Sequence, residues 1–360
     1  MSLERLEIRG IRNIGLINLD LDSNLNLLVG HNGSGKTSIL ESIFLLGSGR
    51  SFRTASIESL VGRSGNGALV RGQTFRGDSL AVERTREGGR NLRLGGEVVR
   101  RTSQLAEVLP VQVLRPETIN LILGSPAERR RFLNWGMFHV EPAFWSTWQA
   151  VNRCLQQRNK LLKDRKTSDE EFASWTSELV RMSEQLDQYR QQHMSMLEER
   201  FRLLSAELHE IEEIDCRYRR GWAREEPLSE GYARDQQIDE EKGYTQRGFH
   251  RADVKITVHG QDAASVCSRG ELKLLAWTLT IAQSQILNKD SGLVYLVDDL
   301  LSELDSDHRN RFAKCLLSTG WQILATGTDV NPLTECWKGV NGKLFHVEHG
   351  TLNAEERLNV

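Results

Sequence analysis

The sequence predicts an α/β fold with mixed sheets, its core split by an inserted helical arm. Three observations predict it. An apolar run, Leu25–Val29, leads through a glycine-rich loop into a helical pattern. Far downstream a second apolar run, residues 293–297, ends in two carboxylates, Asp298 and Asp299. Between them, residues 126–214 carry helical periodicity with few strand signals.

Taken in order, the first hundred residues read mostly as β. Strands are expected at residues 3–8, 16–21, 25–29, 69–75, 79–84 and 91–94, separated by glycine-rich turns such as Gly62-Arg-Ser-Gly-Asn-Gly67. One helix, residues 38–46, interrupts them and stops at Gly47. Strand Val111–Leu114 leads through Pro116 into the helical stretch. There Phe172, Trp175, Leu179, Met182, Leu186, Tyr189, His193 and Met196 alternate in steps of three and four, which reads as core packing. The stripe then slips by one to Leu197, Phe201, Leu204, Leu208 and Ile211. A helix over residues 172–211 would extend about 60 Å. An earlier helix carries Trp148, Val151, Leu155 and Leu162, and Lys163-Asp-Arg-Lys-Thr-Ser-Asp169 reads as the polar turn between the two. From Asp253 the pattern alternates again, with strands at 254–258, 293–297, 322–325 and 343–347 and helices at 268–288 and 307–317. The expected division is therefore 1–125 for the first part of the core, 126–215 for the arm and 216–360 for the second part.

Composition narrows the class. The chain has 360 residues, 39% hydrophobic and 27% charged, as in ordinary globular proteins. No apolar run is long enough to span a membrane, and the first nine residues alternate like a strand rather than a signal peptide. Cys154, Cys216, Cys267, Cys315 and Cys336 are widely spaced, which suits reduced thiols in a cytoplasmic protein. Net charge is −2, but unevenly spread. Residues 50–101 hold eleven arginines against five acids, whereas residues 205–241 hold twelve acids against five arginines. The basic block, with Arg50, Arg53, Arg63, Arg71 and Arg76, is a candidate DNA-facing surface; the acidic block reads as solvated.

The loop after Val29 is Gly30-His31-Asn32-Gly33-Ser34-Gly35-Lys36-Thr37, followed by Ser38, and fits G-x-x-x-x-G-K-[ST]. Glycines let backbone N–H groups converge on phosphates, Lys36 would reach the β- and γ-phosphates, and Thr37 would offer its hydroxyl to Mg²⁺. Asp298, delivered by a buried strand, would anchor the same Mg²⁺, and Asp299 would orient or deprotonate the attacking water. These residues predict ATP with Mg²⁺ as cofactor.

Two further segments resemble the signature motif and D-loop of the ABC/SMC ATPase class. They are Ser268-Arg269-Gly270-Glu271, opening a helix, and Ser302-Glu-Leu-Asp305 after the acid pair. The resemblance implies an ABC/SMC-type ATPase head whose ATP is clamped by Ser268 and Gly270 of a second subunit, hence an ATP-dependent homodimer. Gly47-Ser-Gly-Arg-Ser-Phe-Arg-Thr54, Gly124-Ser-Pro-x-x-Arg129-Arg130-Arg131-Phe-Leu133 and His250-Arg-Ala-Asp253 narrow it further. The chain is similar to the RecF family of bacterial recombination mediators from its first strand to about Val347. That likeness implies an ATP-dependent repair protein with slow hydrolysis. It would bind single- and double-stranded DNA without sequence preference and act with RecR and RecO to place RecA. It also puts Arg12 and Asn13 near the nucleotide, and adds Arg129–Arg131 to the candidate DNA contacts. The chain departs from the pattern in Glu271, where a glutamine is usual. It also has no histidine in Gln322-Ile-Leu-Ala-Thr-Gly-Thr-Asp329, which leaves Thr326, Thr328 or Asp329 as substitutes.

Overall fold

The computed structural model describes residues 2–54, 56–62, 65–164, 168–299 and 304–358. The first part of the chain supplies strands β1 (Leu3–Ile11), β2 (Ile14–Asp20), β3 (Leu25–Val29), β4 (Gly67–Thr74), β5 (Ser79–Thr85), β6 (Arg90–Leu94), β7 (Glu97–Val99) and β8 (Val111–Leu114). The middle supplies β9 (Ile214–Arg219), β10 (Asp253–Val258) and β11 (Gln261–Asp262). The end supplies β12 (Val294–Val297), β13 (Gln322–Gly327), β14 (Gly342–Glu348) and β15 (Thr351–Leu358). Two compact units result, one of Met1–Thr118 with Asn288–Val360, the other Ile119–Leu287.

The first unit holds two six-stranded sheets. One is antiparallel, ordered β2-β1-β4-β5-β6-β7; the other, β15-β14-β3-β13-β12-β8, is parallel except for its edge strand β15. Strands β3 and β12 are buried at every position, as parallel strands covered on both faces must be. The antiparallel sheet alternates instead, turning Leu6, Ile8, Val70 and Val82 inward. Those side chains join Ile39, Ile43 and Leu46 of the helix Lys36–Ser48 and Leu28, Leu296, Leu324 and Phe345 of the parallel sheet in one core. Burial of this apolar area is the main stabilising term of the unit.

The second unit is built on the helix Asp169–Leu208, 40 residues long, packed beside the helix Phe144–Lys163. Ser168 caps the long helix by accepting from the Glu171 N–H, and three acids in its first turn suit the helix dipole. Much of the helical stripe is core: Leu179, Leu186, Leu197 and Phe201 are buried, whereas Met196 is exposed and its neighbour Met194 is buried instead. His193 is buried there too, and burial pushes its pKa down to about 4, so it packs as a neutral ring. One helix ends at Lys163 and the next begins at Asp169; of the expected polar turn between them, residues 165–167 lie outside the described residues. The helix Leu228–Lys242, in the acidic block, has no apolar stripe. It is held by the buried pair Arg158–Asp239 at 2.8 Å, with Thr245 accepting from Arg158 at 2.6 Å. All five cysteines are free thiols. No described helix is long and apolar enough to cross a membrane.

Candidate nucleotide-binding site

In the parallel sheet, β13 lies between β3 and β12, so the C-terminal ends of three adjacent strands carry the glycine loop, a threonine and the acid pair. That edge is where open α/β sheets hold ligands. Gly30, Gly33 and Gly35 have φ of 159°, 81° and 120°. At Gly30 a Cβ would lie 2.2 Å from the Val347 carbonyl oxygen, so only glycine lets the loop pass there. The helix Lys36–Ser48 begins at Gly35 with no side-chain cap, leaving its first N–H groups for an anion. Lys36 is buried, and its Nζ donates to the carbonyls of Gly30 (2.6 Å) and His31 (3.0 Å). Burial lowers its pKa, while the charges of Asp299 and Asp298 act to restore it. His31, Asn32 and Gly33 are exposed, whereas Ser34 is buried and its Oγ has no hydrogen-bond partner among the described residues.

Asp298 collects the site. Its Oδ1 accepts from the Thr37 hydroxyl at 3.0 Å and from the Thr326 hydroxyl at 3.0 Å. Burial raises its pKa, opposed by those two hydrogen bonds. A desolvated carboxylate beside a threonine hydroxyl is the donor set a divalent cation would relieve. Asp299 follows in the left-handed region (φ 53°), and its N–H donates to Thr326 Oγ1 at 2.9 Å. Of the three residues that could stand in for a switch histidine, Thr326 is therefore the one that touches both acids. Thr328 bonds Asp329 at 3.0 Å.

The loop is braced by residues that its motif does not contain. Asn13 donates to the Gly33 carbonyl at 3.1 Å and accepts from the Ser38 hydroxyl at 3.2 Å. The two-residue turn His349-Gly350 between β14 and β15 has positive φ at both positions, the type I′ pattern, and the Gly350 N–H donates to the Ser34 carbonyl at 2.7 Å. Arg12 is engaged elsewhere: its guanidinium pairs bidentately with buried Glu41, at 2.8 Å for both bonds. The Ser51 hydroxyl also reaches Glu41, and Arg53 lies 3.8 Å from it. Glu41 escaped the sequence reading, although a lone acid inside the apolar run Ile39-Leu40-Glu41-Ser42-Ile43 was its signal.

The signature residues belong to the second unit, where Ser268 begins the helix Arg269–Ser284 with a full capping box. The Glu271 carboxylate accepts from the Ser268 N–H at 2.6 Å, and the Ser268 Oγ accepts from the Glu271 N–H at 3.4 Å. The glutamate thus has a local reason, and the backbone bond holds its pKa below the usual range. Ser268, Arg269 and Gly270 are exposed, and an added Cβ at Gly270 would meet nothing within 4 Å. Asp305 caps the helix Ser306–Ser318 by accepting from the N–H groups of Asp307 and His308. Ser302 lies outside the described residues, as does Arg63.

The candidate DNA contacts separate into kinds. Arg50 and Arg76 are exposed; Arg71, on the outward face of β4, is 3.7 Å from Glu7. Arg129 and Arg130 are engaged in hydrogen bonds within the second unit. Arg129 pairs with Asp253 at 2.6 and 3.0 Å and donates to the Gly124 carbonyl at 2.8 Å; Arg130 donates to the Ala252 carbonyl at 2.8 Å. Arg131 is exposed and pairs with Glu128.

This architecture has known relatives. Residues 2–352 match the RecF/RecN/SMC N terminal domain family. A protein of Pseudomonas aeruginosa (strain LESB58) described as DNA replication and repair protein RecF is 38% identical, over 98% of both chains. Among solved structures, recombination mediator protein RecF-ATP in the RecFOR pathway has a TM-score of 0.84 at 24% identity, over 99% of this chain and 97% of its own. The Smc head domain derived from Pyrococcus furiosus follows at 0.59 and 17%, over 99% of this chain and 96% of that one. With a family match over residues 2–352 and 38% identity across 98% of its length to a curated relative, the chain belongs to the RecF family.

Proposed function

We propose that this chain is an ATP-dependent, DNA-binding repair and recombination protein that uses ATP as a dimerisation switch. One observation carries the nucleotide reading: Thr37 and Thr326 converge on Asp298, beside a buried lysine and an uncapped helix start. Gly30–Ser38 would wrap the phosphates, with Lys36 transferring its hydrogen bonds from the loop carbonyls to phosphate oxygens. Thr37 and Asp298 would hold Mg²⁺, which when bound neutralises charge on the phosphates. Asp299, fixed through its N–H to Thr326, would orient the attacking water. Asn13 would shape the loop, and Arg12 would act through Glu41, on the helix that follows the loop. Exposed Ser268 and Gly270 would cap the phosphates held by a second copy, and Asp305 would stand near that junction.

Hydrolysis is expected to be slow, with kcat below about 10 s⁻¹, the median for enzymes. Aspartate at position 299 is shorter than the glutamate usual in ABC ATPases, and Thr326 cannot take a proton as histidine does. The repair role is supported by the 38%-identical relative, a DNA replication and repair protein, and by the solved neighbour, a recombination mediator of the RecFOR pathway. Single- and double-stranded DNA, RecR, and RecO and RecA in the same pathway are the partners proposed, with Arg50, Arg53, Arg71, Arg76 and Arg131 as phosphate contacts. The proposed arrangement keeps the ATPase core in two stretches, 1–125 and 216–360, around an arm at 126–215, with residues 216–287 packed in the same compact unit as the arm.

The test is titration with a fluorescent ATP analogue with and without Mg²⁺, followed by phosphate release with and without DNA. Micromolar binding lost in Lys36→Ala, with release lost in Asp298→Asn, is expected. Binding indifferent to Lys36 would overturn the nucleotide reading.

A further inference from the structure

The second unit contains a recess of about 1100 Å³. This is above the ~300–1,000 Å³ typical of small-molecule sites, which favours an extended ligand. Its wall is the outward face of β9 and the loop after it, carrying Arg217, Arg219, Trp222 and Arg224, with Arg251 from a neighbouring turn. These arginines come mostly from the segment whose charge sum is acidic. The fold sorts them: the acids of 225–241 lie on or before the helix Leu228–Lys242, while the arginines line the recess.

Two acids also line it, against five arginines, of which Arg217 pairs with Asp215 (3.1 Å) and Arg220 lies 3.8 Å from Asp187. Asp253 is already paired bidentately with Arg129. Burial raises the Glu198 pKa, opposed by a hydrogen bond from the Tyr218 backbone and by the charge of Arg217. Arg219 and Arg224 make no ion pair and no side-chain hydrogen bond among the described residues, and both are exposed. Arg220 serves differently. It donates to the carbonyls of Ala223 (2.6 Å) and Arg224 (2.8 Å), and its guanidinium lies 4.8 Å from the centre of the Trp222 ring. The indole is thereby held in place on the recess wall. Strand β9 is also a sheet edge, and charged residues commonly protect such edges. Edge protection, however, calls for neither a recess nor a clamped, half-buried indole.

We propose that this recess binds single-stranded nucleic acid, a base stacking on Trp222 while successive phosphates meet Arg219, Arg224 and Arg251. Stacking requires an unpaired base, which excludes an intact duplex, and an aromatic platform within a basic groove is how single strands are held without sequence preference. An acidic peptide would use the arginines and leave the indole without a role. The recess shares with the proposed function only the class of ligand. It is a different surface from Arg50–Arg76, and it needs no nucleotide.

The test uses the full chain and a fluorescein-labelled oligo-dT of about 20 nucleotides, read by anisotropy across a salt series without ATP. Trp222→Ala should weaken binding about tenfold while Trp222→Phe retains it. Arg219→Gln with Arg224→Gln should reduce the log–log salt slope by about 1.4, two phosphates at about 0.7 each. Binding of a fluorescent ATP analogue, unchanged in all three variants, reports an independent phosphate loop, and an unchanged thermal melt reports that the unit carrying the recess is folded. Three results would overturn the proposal. The first is a wild type that does not bind the oligonucleotide. The second is wild-type binding by all three variants, with loss only on Arg50, Arg71 and Arg76 substitution; that would spare the DNA role and refute the recess. The third is poly-glutamate competing as well as unlabelled oligo-dT, with Trp222→Ala silent, which would mark an acidic-protein surface.

Discussion

Two helix starts in this chain enter the proposed ATP site, and they are built in opposite ways. At Gly35 the helix opens with no side-chain cap, a buried lysine and glycines at positive φ, enclosed by Asn13 and the His349-Gly350 turn. At Ser268 the helix opens with a complete capping box on an exposed surface, and Gly270 has no neighbour near its missing Cβ. The first leaves its N–H groups unsatisfied by side chains and surrounds the place where an anion would sit. The second is locally satisfied and faces outward. The difference suits a site whose floor comes from one chain and whose lid comes from another.

The contrast can be broken most strongly at the enclosed start. Lys36→Ala should cost roughly 2–5 kcal/mol of ATP affinity, a loss of at least about 30-fold, in a fluorescent-nucleotide titration. Unchanged affinity would mean the enclosure is structural only. Next in size is Arg12→Ala, which leaves Glu41 buried with only Ser51 and the more distant Arg53 as partners among the described residues. About 3 kcal/mol of stability should be lost in a thermal or denaturant melt, and Arg12→Met with Glu41→Leu should recover part of it.

Asp298 gives a pH test with a definite sign. Its pKa is raised in the folded chain, so its contribution to stability is full below the ordinary aspartate range and is lost as pH rises through the folded value. Mg²⁺ needs the carboxylate, so Mg²⁺-dependent nucleotide affinity should fall as pH drops through that same value. Melts and Mg²⁺ titrations across about pH 4–7 check both, and Asp298→Asn should flatten both curves. The smallest effect belongs to the exposed start. Glu271→Ala should cost about 1 kcal/mol through the lost capping box, and Glu271→Gln, which can still accept from the Ser268 N–H, should lose less.

Local motifs made the loop, the acid pair and the helix start at Ser268 legible, because each is a short run whose geometry follows from its own residues. The buried strands β3, β12 and β13 were legible for the same reason. Strand order was not. That Thr326 reaches Asp298 and Asp299 follows from β13 lying between β3 and β12, which periodicity cannot tell. The helix Leu228–Lys242 left no stripe, since its fixing point is the buried Arg158–Asp239 pair. Strand β15 is exposed along most of its length, and its Glu-Glu-Arg run hides it. The recess around Trp222 was concealed by segment arithmetic, which adds charges that the fold places on separate faces.

The central claim is that the outward-facing helix start completes a second copy's site. The most direct measurement is solution mass with ATP and Mg²⁺ against ADP, for wild type, Ser268→Arg and Gly270→Arg. Gly270→Arg keeps the capping serine, and the space around Gly270 admits the new side chain. The account predicts a dimer only for wild type with ATP, while both variants stay monomeric and still bind the nucleotide. A monomer in every condition, or an ATP dimer indifferent to both substitutions, would contradict it.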